Sequence, residues 1–506
     1  MDVLTNLVMG FATIFTQPIS LVYCLIGVIA GVLIGALPGL GPAMGIAILL
    51  PLTYGTEPVF GLIMLTGIYY GAMYGGAITS ILINTPGEAA AVMTALDGYP
   101  MAAKGQAEKA LGMAGIASVI GGTICVVAFM FCAPLLAKYA VEFGPAEYFA
   151  LMVLGMSSIS GMTGKHPGKS FLAAAIGLLI ATIGIDPQIG SQRFTFGNPN
   201  LLDGISFVPV AMGLFGIAEI IGIPEETNSE LVNKKFSMKK LFPNKKEWKL
   251  CLPHIASGSV IGFLVGALPG AGATIASFIS YDFAKRTAPP ERKKLFGTGI
   301  IEGVAAPESA NNAASVGALV PMLTLGIPGS NATAVMMGAL MMHKIVPGPT
   351  IFAREGEMVW GLVASMYIGN IILFIVSISA LTLFVQILKV KPAVLNAVVL
   401  GFILVGAYAY SNSIFVVGLA TFFGVLGFVM KKLELPAAPM VLALVLGSLT
   451  ESNLRQALLL ADGNFWRVIS TPISAVVLVI ALFVAFGNPI ITAVKARTTK
   501  SSAKQK

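Results

Sequence analysis

The residues able to do chemistry in this 506-residue chain sit where long apolar segments interrupt themselves. Gly35 to Pro42 reads GALPGLGP, and Gly266 to Ala273 reads GALPGAGA. Each is followed by a second interruption, GGAITSILINTPGEAAAVMTALDGYP from Gly75 to Pro100 and APESANNAASVGALVPMLTLGIPGSNATAVMMGAL from Ala306 to Leu340. Proline removes a helix N–H and crowds the preceding turn, so a Pro-Gly pair breaks a helix. The freed N–H ends suit an anion such as a carboxylate, and the freed carbonyl ends suit a desolvated Na+. Candidate ligand contacts in the first half are Pro38, Gly39, Gly41, Ser80, Asn84, Pro86 and Gly87. Those in the second half are Pro269, Gly270, Gly272, Asn311, Asn312, Pro328, Gly329, Ser330 and Asn331. Thr79, Asn84, Glu88, Glu308, Asn312 and Ser315 are the candidate oxygen ligands for Na+. Taken singly, a Ser, Thr or Asn in such a segment is better explained as pairing helices. Gathered beside two Pro-Gly breaks, with two carboxylates that are expensive inside a membrane, they mark a site.

The elements that must position these residues are membrane helices. Apolar residues make up 56% of the chain and charged residues 11%, with mean hydropathy +0.87, far from the soluble average. Stretches such as Leu111–Ala137 and Ile473–Gly487 are of the kind that crosses a bilayer. The expected fold is an all-α polytopic membrane protein of about 12 membrane segments, built as two inverted-topology repeats. Each repeat has a re-entrant Pro-Gly hairpin and a broken helix. Residues 1–224 form the first repeat, 225–251 a basic cytoplasmic linker, and 252–468 the second repeat. Residues 469–506 hold a last membrane helix and a basic cytoplasmic tail.

Charge sets the expected orientation. Lysines at 234, 235, 239, 240, 245, 246 and 249 crowd the linker, and Lys285, Arg286, Arg292, Lys293 and Lys294 form a second basic cluster. Lys495, Arg497, Lys500, Lys504 and Lys506 form a third in the tail, and all three belong in the cytoplasm. Between the first two clusters the stretch from Pro253 to Phe283 enters and leaves on one side. Two half-helices of about 14 residues reach only about 21 Å each, short of a hydrocarbon core of roughly 30 Å. The first copy, Leu21 to Leu52, has no Lys or Arg near it and opens to the other side. The first basic residue of the chain is Lys104, so the amino terminus does not read as a cleaved signal peptide. Met1–Gln17 either crosses the membrane or lies on its surface.

Several chemistries find no footing. The net charge of +8 resides in connections between spans and signals topology rather than nucleic acid. Cys24, Cys125, Cys132 and Cys251 are scattered in apolar surroundings and read as inert thiols. Gly164 to Ser170, GKHPGKS, is one residue short of a phosphate loop and reads as an inner loop carrying Lys165, His166 and Lys169. Asp97 in DGYP reads as a turn former rather than a proton carrier. No nucleophile-base pair stands out, so an enzyme is not expected. A channel lined by the same broken helices is the alternative to a transporter.

The motifs together resemble the large permease subunit of the tripartite tricarboxylate transporter (TctA) family. The matching elements are GALPGLGP, YGGAITSILINTPGE followed by DGYPMA, and DPQIGSQRFTFG from Asp186 to Gly197. In the second half they are GALPGAGA, EGVAAPESANNAA from Glu302 to Ala314, and LGIPGSNATA from Leu325 to Ala334. The resemblance covers Met1 to about Pro489. It implies a multi-pass permease of the bacterial inner membrane that imports organic di- or tricarboxylates, driven by Na+ or protons as coupling ion. It also implies a small multi-span membrane subunit and a periplasmic solute-binding protein as partners. The paired breaks add the expectation of an elevator-type movement.

Overall fold

The computed structural model describes residues 3–37, 41–84, 86–140, 142–157, 167–186, 189–222, 238–269, 272–379 and 392–483. The helices that matter here are α1 (Val3–Thr16), α2 (Ile19–Gly35), α3 (Pro42–Leu49), α4 (Pro58–Ile83), α5 (Val92–Ala103) and α6 (Ala107–Ala140). They continue as α7 (Pro145–Ser157), α8 (Pro167–Ala181), α9 (Lys245–Gly266), α10 (Gly272–Thr287), α11 (Glu302–Gly317) and α12 (Leu319–Leu325). The last are α13 (Asn331–Met342), α14 (Gly356–Ser379), α15 (Pro392–Ser411), α16 (Ile414–Lys432) and α17 (Ala437–Leu460).

Among the described residues, six helices are long and apolar enough to cross a membrane: α4, α6, α9, α14, α16 and α17. The pair α1 and α2, bent by 93° at Gln17-Pro18, makes a seventh if read as one span. Six further apolar helical stretches of 10–17 residues stand among the described residues. The chain is therefore an all-α polytopic membrane protein.

Two compact units share the chain. One comprises 1–138 and 208–429, the other 139–207 and 430–506, so each draws on both halves of the sequence.

In the larger unit the organising element is α4, whose most apolar window is 94% buried. A helix apolar on every side belongs at the centre of a bundle. It packs on α2 through a ladder of glycines four residues apart. A Cβ at Gly31 would stand 2.5 Å from the Ile68 carbonyl oxygen, and Gly27 and Gly35 press in the same way on Met64 and Ala72. The same ladder recurs between α9 and α11. There Gly258, Gly262 and Gly266 press on Ala306, Ala310 and Ala314. The reciprocal contacts match too, Gly75 resting on the Val32 carbonyl and Gly317 on that of Phe263. Without a hydrophobic driving force between helices in lipid, such small-residue contacts are what holds them together. Gly262→Leu should therefore lower the thermal unfolding midpoint of detergent-solubilised protein by an amount matching ~1–3 kcal/mol of overpacking or more. An unchanged midpoint would mean that α9 and α11 separate at no cost.

The hairpin arms are less equal than half-helices of about 14 residues. They are 17 and 8 residues in the first half and 22 and 16 in the second. The reason is local. An Asn244–Glu247 capping box starts α9 before its apolar part, while Pro51 turns the end of α3 into a short 3-10 segment. α1 packs on α14, with Gly10 against the Trp360 carbonyl.

The smaller unit runs α8 and α17 side by side in the same direction. Lys169 Nζ donates to the Leu433 carbonyl at 2.7 Å and pairs with Glu434 at 3.0 Å at one end. Gly447 rests on Ala181 near the other. Beyond it, Gly184–Ile185 and Gln192–Arg193 form a two-stranded antiparallel hairpin. This hairpin places Asp186, 1% exposed, against Arg455 at 3.0 Å and Arg193 at 3.5 Å, with Glu451 2.7 Å from Arg193. From Ala437 to Glu451 α17 rises about 21 Å, with the Lys169–Glu434 pair just before its start and the Asp186 cluster at Glu451. Asp186 and Arg193 of the DPQIGSQR sequence motif thus contribute to a polar cluster on this unit. Asp186→Ala should cost about 1.5–3 kcal/mol, because it removes charge-assisted hydrogen bonds while both arginines keep Glu451, at 2.7 and 2.6 Å. A thermal midpoint equal to wild type would show the cluster to be a spectator.

Candidate functional site

Each second interruption docks on the hairpin that precedes it. Gly87 packs against the Gly35 carbonyl and 2.8 Å, measured from its would-be Cβ, from Gly76 Cα. Gly329 does the same, 2.8 Å from the Gly266 carbonyl oxygen and 2.8 Å from Ala318 Cα. Since Gly35 and Gly266 end the first arms of the two hairpins, the structure brings the GALPG and Pro-Gly motifs together in each half. Both breaks also share a backbone path. Asn84 (φ 53, ψ 27) and Gly326 (φ 69, ψ 27) end their helices in the left-handed conformation. Glu88 (φ −141, ψ 167) and Ser330 (φ −154, ψ 171) are then extended. A non-glycine residue in the left-handed region is uncommon, and asparagine is the side chain that tolerates it best.

The sequence-derived candidates separate into three groups. Gly87 and Gly329 are buried in close packing, and Pro328 is buried as well. Gly41 and Gly272 face open space, a Cβ on either meeting nothing within 4 Å, and Asn84 and Asn331 are exposed. Pro86 and Pro269 are half-buried beside them. Pro38, Gly39 and Gly270 lie outside the described residues. Thr79 and Ser80 are buried on α4 and donate back to the Gly76 carbonyl, at 3.4 and 2.8 Å. Such back-bonding satisfies the hydroxyl within its own helix.

The third group is polar and sealed. Glu308, Asn311, Asn312 and Ser315 line up on α11, all within 2% of complete burial. Glu308 accepts hydrogen bonds from the Thr94 hydroxyl of α5, at 2.5 Å, and from the Ser118 hydroxyl of α6, at 3.2 Å. Asn312 Nδ2 donates to Asn311 Oδ1 at 2.8 Å, and the Ser315 hydroxyl donates to the Asn312 carbonyl at 2.7 Å. Glu88 follows the first Pro-Gly break and stands six residues before Thr94, whose hydroxyl donates to Glu308. On the other side Tyr69 of α4 meets Ser330 hydroxyl to hydroxyl at 2.7 Å. Ser330 also caps α13 in a capping box with Thr333.

Thr94, Ser118 and Tyr69 were not among the sequence-derived candidates. Each is an ordinary helical residue, and only its partner, hundreds of positions away in Thr94 and Tyr69, gives it meaning. One signal was available: Thr94 lies on the helix that follows Glu88.

Asp97 differs from its reading as a turn former. It is wholly buried in α5 and accepts from Tyr281 Oη at 2.8 Å and from the backbone N–H groups of Gly297, Gly299 and Ile300 at 3.0, 2.8 and 3.0 Å. DGYP stays helical because Pro100 only has to forgo the N–H bond to Leu96, and the tertiary partners of Asp97 outweigh that loss. Asp97 thereby clamps the loop that carries the chain from the second hairpin into α11.

Helices broken at matched places in the two halves of a polytopic membrane protein, with buried carboxylates and amides on α11, are the arrangement secondary transporters use. The comparisons agree. The chain belongs to the tripartite tricarboxylate transporter TctA family, whose model matches residues 21–442. It is 40% identical over 483 residues, 95% of each chain, to an uncharacterised 52.8 kDa protein of Agrobacterium vitis from the TAR-I ttuC′ 3′ region. It is 38% identical over 221 residues, 44% of this chain and 90% of the other, to a second Agrobacterium vitis protein, from the TAR-II ttuC′ 3′ region. No solved structure matches the chain.

Proposed function

We propose that this chain is the large permease subunit of a binding-protein-dependent secondary transporter importing organic di- or tricarboxylates. A small multi-span membrane subunit and a periplasmic solute-binding protein complete the machine, in the bacterial inner membrane with the carboxyl terminus in the cytoplasm. Coupling is to Na+ or protons, and the two hairpins with their broken helices move as inverted-topology repeats in elevator-type alternating access.

The observation that carries this reading is the seating of each Pro-Gly break on the hairpin of its own half. Repeat-related broken helices meeting near the midplane are where secondary transporters hold substrate and coupling ion. A carboxylate would be held by broken helix ends, hydroxyls and amides around Gly41, Gly272, Asn84 and Asn331. Bound cations would compensate its charge.

The test is uptake of labelled carboxylates into vesicles holding this chain and the small subunit, with and without the binding protein and an inward Na+ or proton gradient. Saturable uptake that needs the binding protein and a gradient is the expected result. Flux that stays linear with concentration and ignores both would identify a channel.

A further inference from the structure

We infer that the coupling ion is a Na+-sized monovalent cation held between Glu88 and Glu308, with Asn312 Oδ1 completing the oxygen set. The inference rests on the transport reading and assigns its ion to one of two equivalent places.

The equivalence comes from the packing. The glycine contacts that recur between halves place Asn311 of α11 where Tyr69 stands on α4, and Glu88 where Ser330 stands. In one place the pair is Tyr69 and Ser330, two hydroxyls that satisfy each other at 2.7 Å. In the other the chain has a carboxylate and an amide, with a second carboxylate, Glu308, one turn before Asn311. The duplicated frame is thus polar and acidic on one side only.

That acidic place holds unsatisfied atoms. Asn312 is 1% exposed, yet its Oδ1 has no hydrogen-bond partner. Glu88 Oε1 is sealed and equally without one, although the rest of the residue is partly exposed. Both atoms are acceptors. A buried acceptor left unpaired costs about 1–3 kcal/mol, and more if charged. Among the described residues neither Glu88 nor Glu308 has a Lys, Arg or His within salt-bridge distance. Buried carboxylates need a paired charge.

A hard cation supplies what both acceptors and both carboxylates lack. The donor set also limits its identity. Among the described residues no three His, Cys, Asp or Glu side chains converge as a transition-metal or calcium site would require. Two carboxylates with neutral amide and hydroxyl oxygens suit a single positive charge. A proton could satisfy Glu88 Oε1 but would leave Asn312 Oδ1 as it is. Glu88, being partly exposed, would meet the ion first, and the buried Glu308, held by Thr94 and Ser118, would retain it.

The test uses the purified full-length chain in detergent. Thermal unfolding is followed while Na+ replaces K+ or choline at constant ionic strength, and the same substitution is made in the vesicle uptake assay. Wild type should be stabilised by Na+ over K+. Glu308→Gln and Glu88→Gln should abolish the difference, and Asn312→Ala should raise the Na+ concentration for half effect about 10-fold or more. Unfolding midpoints in K+ show that each variant folds. Wild type with no preference for Na+, or all three variants with the full wild-type shift, overturns the assignment. Stabilisation that follows pH and not Na+ overturns it in favour of a proton. Saturable uptake that ignores Na+ overturns the ion site and leaves the transport reading intact. Absence of saturable uptake of any carboxylate under any gradient removes the transport reading, while a Na+ shift lost in the variants would still establish the ion site.

Discussion

Asp97→Ala should be among the most damaging single substitutions in the larger unit, costing about 4 kcal/mol or more. The carboxylate accepts from one hydroxyl and three backbone N–H groups, all at 2.8–3.0 Å. Removing it strands these donors, and each buried donor left unsatisfied costs about 1–3 kcal/mol. Water can reach some of them, so the full sum is not expected. Asp97→Asn should fall between, because the amide keeps one acceptor oxygen and turns an NH2 group toward N–H donors. The damage should spread to function. Residues 297–300 lead directly into α11, which begins at Glu302, paired with Arg292, and carries Glu308 and both asparagines. The measurement is the thermal midpoint and monodispersity of the purified protein, wild type beside both variants. A wild-type midpoint for Asp97→Ala would mean that the loop is held by other contacts.

Gly87→Ala and Gly329→Ala should each reduce carboxylate uptake by roughly 10- to 100-fold at matched abundance in the membrane. The added methyl at either site meets backbone: the Gly35 carbonyl in the first half and, at 2.8 Å, the Gly266 carbonyl in the second. Backbone cannot rotate away as a flexible side chain can, so the break must lift off the hairpin. Displacing a binding group by about 1 Å costs on the order of 100-fold when geometry carries the chemistry. Gly41→Ala is the informative contrast. Its Cβ meets nothing and its φ of −76° suits any residue, so stability should be unaffected. If a ligand uses that open space, the substitution should raise the apparent KM alone. Equal, full uptake from Gly87→Ala and Gly329→Ala would separate the breaks from transport.

Much of the class was legible in the sequence because its causes are local. Proline lacks a donor and glycine lacks a side chain wherever they occur, so the Pro-Gly breaks could be read directly. Their number and matching order announced two similar halves. Apolar composition implied a helical membrane protein, since a bilayer accepts few other backbones. The two glutamates near the breaks stood out by their cost alone.

Only the tertiary structure decided which breaks touch which hairpins and what each polar residue faces. Thr94 meets Glu308, and Tyr69 meets Ser330, across more than two hundred residues of chain. Asp97 became a buried clamp although its neighbours spell a turn. Ser80 and Thr79, prominent in sequence, turned back onto their own helix. These outcomes depend on which small-residue faces approach closely enough to bring distant side chains together. That selection is made by the packing of whole helices, and no local stretch of residues contains it.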